Sequence, residues 1–242
     1  MRIGAAISRV TAFLVVTAIV VAGSALWFGA ITIPSRFNPW APIDIADAPN
    51  LLTKYKLKRL ADDPQQCLAT LETTPLRFTP QADREVGPQC EFRNVVRVTS
   101  SSVTYSSGFV ATCPLAVGLA LFERHALQPA AEAVFGRRVT DVTHLGTYAC
   151  RNVYGRETGR RSQHASANAI DLAGFRFDDG KTVTLQRDWG DDDGPALSQE
   201  ARFLRDLKRR ACRVFPTLLG PEYNAAHHNH FHLDMGGFRI CR

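Results

Sequence analysis

The stretch Ser162-Gln163-His164-Ala165-Ser166-Ala167-Asn168-Ala169-Ile170-Asp171 decides the reading, together with His227-His228-Asn229-His230-Phe231-His232 near the C-terminus. A His and an Asp seven positions apart, followed later by a His-x-His, supply the nitrogen and oxygen donors that a catalytic zinc prefers. Five of the seven histidines lie in these two stretches, a concentration that scattered structural histidines would not give. Strand parity sharpens the pattern. In Ala169-Ile170-Asp171-Leu172-Ala173 the side chains alternate, so Asp171 projects opposite Ile170 and Leu172, which suit a core. In a strand from His230 to Asp234, His230, His232 and Asp234 share one face while Phe231 and Leu233 take the other. Two neighbouring strands of this kind present Asp171 and the His-x-His to one cleft, with His164 entering from the preceding loop. Three protein ligands with one open position is the layout of a catalytic zinc, whereas structural sites close with four.

Working outward, Glu91 to Tyr105 is rich in β-branched residues and reads as strand, as does Val139 to Tyr148. Thr112-Cys113-Pro114 opens a helix carrying Leu115, Leu119, Phe122 and Ala126, with Pro in the first turn. Pro129 begins a second helical piece that Gly136 stops. Ser198 caps a helix with Phe203, Leu204, Leu207, Ala211, Val214 and Phe215 on one face, and Gly220-Pro221 ends it. Helices and strands do not alternate regularly, so the expected fold class is α+β, an antiparallel sheet with flanking helices.

Four segments are expected: 1–9, a cytoplasmic stub; 10–33, a transmembrane anchor; 34–63, a Pro-rich tether; and 64–242, one domain. Val10 to Ile33 carries no charge and is flanked by Arg2 and Arg9, which suits a helix crossing about 30 Å of hydrocarbon. Trp27 and Trp40 stand near its far end, where interfacial aromatics anchor. A cleavable signal peptide, with small residues at Gly23 and Ala25, is the alternative, but the apolar run outlasts an ordinary signal core. All six cysteines (Cys67, Cys90, Cys113, Cys150, Cys212, Cys241) follow this segment and lack C-x-x-C spacing. They read as a disulfide set in an oxidising compartment, with the pairing open. The expected location is therefore a single pass through the inner membrane with the C-terminal domain in the periplasm. The net charge of +6 suits an anionic envelope polymer or membrane surface. No basic motif with interleaved aromatics is present, so no nucleic-acid partner is expected.

His-Glu-x-x-His, Gly-x-Ser-x-Gly and Walker patterns are absent. The acidic run Asp188 to Asp193 reads as a solvated loop, and His125 and His144 as structural residues.

Ser162-x-His164-x-x-Ala167-x-Ala169-x-Asp171 resembles the Ser-x-His-x-x-Gly-x-Ala-x-Asp signature of the zinc D-Ala-D-Ala peptidases, a group that includes lysostaphin-type enzymes, murein endopeptidases and hedgehog domains. His230-x-His232 resembles their second motif. From about Cys67 to Cys241 the chain resembles the bacterial extensin-like C-terminal domain family. The marks are Thr112-Cys113-Pro114, Gly146-x-Tyr148-x-Cys150-Arg151, Leu219-Gly220-Pro221-x-Tyr223-Asn224 and His230-Phe231-His232-x-Asp234. The resemblance implies a hedgehog/DD-peptidase-like fold and one zinc ion, with His164, Asp171 and His232 as ligands. It implies His230 as a non-ligand near the attacked oxygen, Arg151 as a cation near the oxyanion, and Ser162 as a support for the first ligand or a substrate contact. Ala167 stands where Gly is usual, a mild change if the backbone there keeps φ below zero. Three residues before the His-x-His, where many of these enzymes carry Glu, stands His227. An imidazole can serve as base. Strict parity would favour His228, and His227 reaches the cleft only if the chain bends near His228-Asn229.

The expected function is a zinc-dependent peptidase of the cell envelope, cleaving peptidoglycan or its stem peptides with metal-activated water. The alternatives are a non-catalytic zinc-containing cell-wall binding module, and a purely structural envelope tether.

Overall fold

A computed structural model describes residues 2–30, 32–190 and 197–242, with the side chains of 2–9 and Leu26 outside the description. In chain order the elements are α1 (Arg2–Trp27), α2 (Thr53–Arg59), α3 (Pro64–Glu72), β1 (Arg77–Gln81), β2 (Arg84–Gly87), β3 (Cys90–Phe92), β4 (Val95–Ser100), β5 (Thr104–Tyr105) and β6 (Phe109–Thr112). There follow α4 (Cys113–Phe122), α5 (Gln128–Phe135), β7 (Val139–Gly146), β8 (Ala169–Phe177), β9 (Thr182–Thr184), α6 (Leu185–Asp188), α7 (Gln199–Ala211), β10 (Thr217–Leu219), β11 (Phe231–Asp234) and β12 (Ile240–Cys241).

The class is α+β, but the expected transmembrane helix and single-pass inner-membrane placement are corrected. Among the described residues no helix is long and apolar enough to cross a membrane. Of the apolar stretch from Val10 to Ile33, α1 covers only the part ending at Trp27. That part is about 27 Å long at 1.5 Å per residue, short of a hydrocarbon core of about 30 Å. Its Thr17 and Ser24 hydroxyls turn back to the carbonyls of Phe13 and Val20.

The principal sheet runs β12-β10-β11-β8-β7-β5, with β9 also on β8. Its central pairs β10/β11, β11/β8 and β8/β7 are antiparallel, as expected, while the outer pairs β10/β12 and β5/β7 are parallel. A second sheet, β1-β4-β6, and the β2/β3 ribbon complete the strands. β11 pairs with β8 in a register that sets His232 opposite Asp171 and Leu233 opposite Ile170. Period-two alternation then does what the sequence pattern asks: Ile170, Leu172, Phe231 and Leu233 are fully buried on the core side, and Asp171 and His232 take the other face.

α4 is apolar on every side, and all ten of its residues are buried, as expected for a helix lying inside a core. Cys113–Phe122, one π turn over Glu123–Leu127, and α5 form one continuous helical run. Pro129 lacks an N–H for the carbonyl four residues earlier, which accounts for the changed ladder ahead of it. Gly136 closes α5 at φ +60°, the left-handed position that glycine takes without strain. α7 begins on Ser198, whose Oγ accepts from the Ala201 N–H at 3.1 Å. It buries Phe203, Leu204 and Leu207 against the sheet, with Phe203 meeting Phe175 and Phe177 edge-on.

Part of the segment read as a tether is built into the same core. Ile45, Leu57 and Leu60 are buried in it. The Lys56 ammonium donates to the Ser35 carbonyl at 2.7 Å, Arg59 to that of Pro39 at 2.8 Å, and His125 meets that of Ile45 at 2.8 Å.

The six cysteines form three disulfides, Cys67–Cys113, Cys90–Cys150 and Cys212–Cys241. They span 46, 60 and 29 residues. On a chain-entropy account each contributes about 4 kcal/mol.

Glu123 is buried where the π turn begins. Its carboxylate accepts from Ser101 (2.6 Å), Ser102 (2.5 Å) and Tyr105 (2.8 Å). Burial raises its pKa, and the three hydroxyls only partly oppose the rise. A carboxyl raised on folding contributes stability that is complete below its unfolded value and is lost as pH rises through the folded value. Denaturant unfolding between pH 4 and pH 8 is therefore expected to show the wild type losing stability relative to Glu123→Gln as pH rises. Parallel curves for the two proteins would mean that Glu123 does not change protonation on folding.

Candidate metal centre

The turn that carries the first candidate ligand is a 3-10 helix, Gln163–Ser166. Ser162 caps it, its Oγ accepting from the His164 N–H at 3.3 Å. The turn closes on Ala167, which has φ +54° and ψ +31°. So the backbone does require the left-handed region here, and the condition under which Ala for Gly is mild is not met. The strain costs about 1–2 kcal/mol. Ala167 is fully buried beside Phe92 and Val95, and burying its methyl offsets about 0.8 kcal/mol.

Three donors converge above the β8/β11 pair. His164 Nε2 lies 3.1 Å from His232 Nδ1 and 3.2 Å from Asp171 Oδ2, and His232 Nδ1 lies 2.9 Å from Asp171 Oδ1. His164 is 4% exposed and His232 9%, so solvent does not satisfy them. Outer partners orient both rings. His164 Nδ1 faces the Thr147 carbonyl at 3.2 Å, which only accepts, so Nδ1 carries the hydrogen and Nε2 presents a lone pair. His232 Nε2 faces the Asp234 carboxylate at 3.0 Å and donates to it, so Nδ1 points inward. Two imidazole lone pairs and a carboxylate thus face one point, an arrangement that repels itself unless a cation sits there. His164, Asp171 and His232 can hold a metal ion.

The same geometry explains the charge states of the metal-free site. Burial would raise the Asp171 carboxyl, but the close His164 and His232 rings hold it well below the usual carboxylate range. Burial would lower His232, yet its bonds to Asp171 and Asp234 raise it to about 9. A proton on His232 Nδ1 then does part of a cation's work.

Asp234 was read only as sharing the face of His232, and the structure makes it the partner that orients that ring. Its other oxygen accepts from the Gly236 N–H at 2.7 Å. Asp234→Asn is expected to lower metal affinity about 10–100-fold, as loss of an outer carboxylate partner does. Competition with a chromophoric chelator measures this, and an unchanged affinity would mean that the Asp234 contact does not tune the ligand.

A cleft of about 580 Å³ opens over the three donors and is lined also by Arg151, Ser162, His227 and His230. His164, Asp171, His232, His227, His230, Arg151 and Ser162 all reach this cleft, whereas His228, the alternative base, does not. Arg151 lies in the loop after β7, which ends at Gly146 rather than reaching it, and is placed by backbone bonds to the turn: Ser162 N–H donates to its carbonyl, and Ala149 N–H to that of His164, both at 3.1 Å. The Cys90–Cys150 disulfide fixes the neighbouring residue. His230 stands just before β11, its Nε2 3.6 Å from Asp171 Oδ1 and its Nδ1 2.8 Å from Asn229 Oδ1.

The chain does bend ahead of His230. Ala225–His227 forms a 3-10 turn capped by Asn224. Asn224 Oδ1 accepts from the Ala226 N–H (3.0 Å), which identifies it as the oxygen, and so also accepts from His227 Nδ1 (2.7 Å). The Asn224 amide donates to Tyr154 Oη at 2.9 Å. His227 Nε2 is therefore the lone-pair nitrogen. The His227 ring lies 5.2 Å from that of His230 and 5.9 Å from that of His232, centre to centre. Burial, then the neighbouring His230 and His232, lower the His227 pKa to about 4, and burial also lowers His230. Both are neutral at pH 7. His228 instead is exposed and bonds the Ala225 carbonyl at 2.8 Å.

Asn224 and Tyr154 were missed as functional candidates, although Asn224 lies inside a stretch that marked the resemblance. His125 and His144 lie outside the cleft: His144 Nε2 faces the Ser107 carbonyl at 3.0 Å. Of the acidic run, Asp188 pairs with Arg187 at 2.8 Å; Asp191, Asp192 and Asp193 lie outside the described residues.

Arg151, Asn224 and the His-Phe-His strand thus meet around a single site, and the domain that holds them is a recognised one. Residues 65–242 match the family described as extensin-like protein C-terminus, and the chain belongs to that family. No curated protein and no solved structure matches it.

Proposed function

We propose that the domain is a zinc-dependent peptidase that cleaves peptide bonds of peptidoglycan or its stem peptides. The observation that carries this reading is the inward convergence of two imidazole lone pairs, each ring held by an outer partner, and one carboxylate beneath an open cleft. Two nitrogens and an oxygen from three residues are a donor set that suits zinc and leaves room for a further ligand. Zinc held there supplies Lewis acidity toward a carbonyl and brings the pKa of a water toward neutrality.

The chain's own groups provide the rest. His227 Nε2 accepts a proton from the attacking water and returns it to the leaving amine, while Asn224 and Tyr154 hold its ring. Arg151 places a positive charge where negative charge develops on the carbonyl oxygen. His230 lies within the same cleft as a neutral ring able to bond that oxygen. Ser162 fixes the turn that carries His164. The cleft also presents Arg160, and cations around it suit the carboxylates of stem peptides.

The test is mass spectrometry of purified peptidoglycan after incubation with the full chain, with and without a chelator. Chelator-sensitive fragments that have gained one water across an amide are expected. Retention of the polymer without cleavage would replace the peptidase by the zinc-containing binding module.

A further inference from the structure

A second cleft, of about 370 Å³, lies beside the metal cleft, and Gly236 lines both. Its floor is apolar, with Leu57, Pro114 and Met235. Its rim carries Lys54 and Lys58 from α2 and Arg239 from the loop before β12. Arg93 is also there, but Glu91 holds it at 3.0 Å. Among the described residues Lys54, Lys58 and Arg239 form no ion pair with any carboxylate of the chain. Three like charges face one concavity whose one carboxylate, Glu91, is taken by Arg93, an excess of positive charge that draws anions to it. Burial and the charge of Arg239 hold the Lys54 ammonium below the ordinary lysine value, in keeping with a cation whose counter-ion is external.

We propose that this cleft is an anion-binding subsite for a carboxylate- or phosphate-bearing stretch of ligand. α2 lies ahead of the residues that match the family, 65–242. The site is thus assembled from the domain and the segment preceding it. A ligand long enough to occupy both clefts crosses at Gly236-Gly237. A Cβ at Gly237 would meet nothing within 4 Å, whereas one at Gly236 would meet Gln163 and Asp234 at 2.9 Å, so the crossing is open over Gly237 and walled by Gln163 beside Gly236. The subsite stands whether or not the metal cleft hydrolyses anything.

The test is calorimetric titration of the full chain with three probes: triglutamate, inorganic tripolyphosphate and triglutamine. Triglutamate or tripolyphosphate is expected to bind and triglutamine not. Whichever anion binds more tightly identifies the ligand's charged group as carboxylate or phosphate. Lys54→Gln/Lys58→Gln/Arg239→Gln should weaken the anion on the order of tenfold or more, since an external anion loses three facing charges. Arg97→Gln/Arg124→Gln/Arg213→Gln removes the same charge elsewhere and should change affinity less than twofold. A chelator should leave binding unchanged, which separates this site from the metal cleft. Should the triple variant fail to fold, Arg239→Glu alone, at an exposed position, serves in its place. Equal loss in both triple variants, loss on chelation, or no binding of either anion by the wild type would overturn the subsite.

Discussion

Alanine at His164, Asp171 or His232 is expected to leave the protein without metal after dialysis, while the wild type retains about one zinc per chain. Each change removes one of three donors that lie 2.9–3.2 Å from one another. Two remaining protein ligands hold zinc poorly. His230→Ala is expected to keep the metal. Its Nε2 stands 3.6 Å from Asp171, and its ring is held by Asn229 rather than by the donor trio. Metal content by atomic spectroscopy, with circular dichroism to confirm folding, reads the result. Equal loss in all four variants would make His230 a ligand and the site a closed, structural one.

The second large effect concerns proton transfer. His227→Ala should retain metal while turnover falls about 10²–10⁴-fold, the usual worth of a positioned proton acceptor. His228→Ala should change turnover little. Its side chain bonds the Ala225 carbonyl and faces a different hollow, beside Trp189 and Glu222. Single-turnover kinetics on peptidoglycan fragments separate the two. An exchange of the two effects would mean that the bend seen at Ala225–His227 does not persist in the working protein. No measurable turnover in any variant, wild type included, would favour the binding module.

Much of this site was legible because both of its strands obey a period of two. Asp171 between Ile170 and Leu172, and His232 between Phe231 and Leu233, each declare one core side and one open side. A single register satisfies both strands at once. The bend that brings in His227 was half legible: Asn229 suggests a bend at His228-Asn229, but the turn over Ala225–His227 capped by Asn224 was not read, since capping competes with strand propensity and only the fold decides between them. The Thr147 carbonyl could not be read, since a backbone acceptor leaves no mark on residue type. The pairing of six cysteines was open for a similar reason, because it depends on which segments lie within reach of one another. The run from Pro34 to Asp63 misled through composition: its prolines outweighed Ile45, Leu57 and Leu60, which are too sparse to show periodicity yet are buried in the core. At the N-terminus, counting apolar letters to Ile33 overstated the helix, which stops at Trp27. Ala167 was the reverse case, a small residue whose strained conformation only the backbone reveals.

The facing of His232 and Asp171 across β11 and β8 has a thermodynamic consequence. The two residues are 61 positions apart, so an ion gripping both works as a clip between distant parts of the chain. A slip of one residue in that pairing would turn the ligands of one strand into the core and bring Phe231 or Leu233 to the rim. Only the native alignment can be clipped, so metal uptake rewards correct strand alignment over its neighbours. With an ion held there, occupancy and folding would share one free energy, and its removal would loosen the seam between these two strands first.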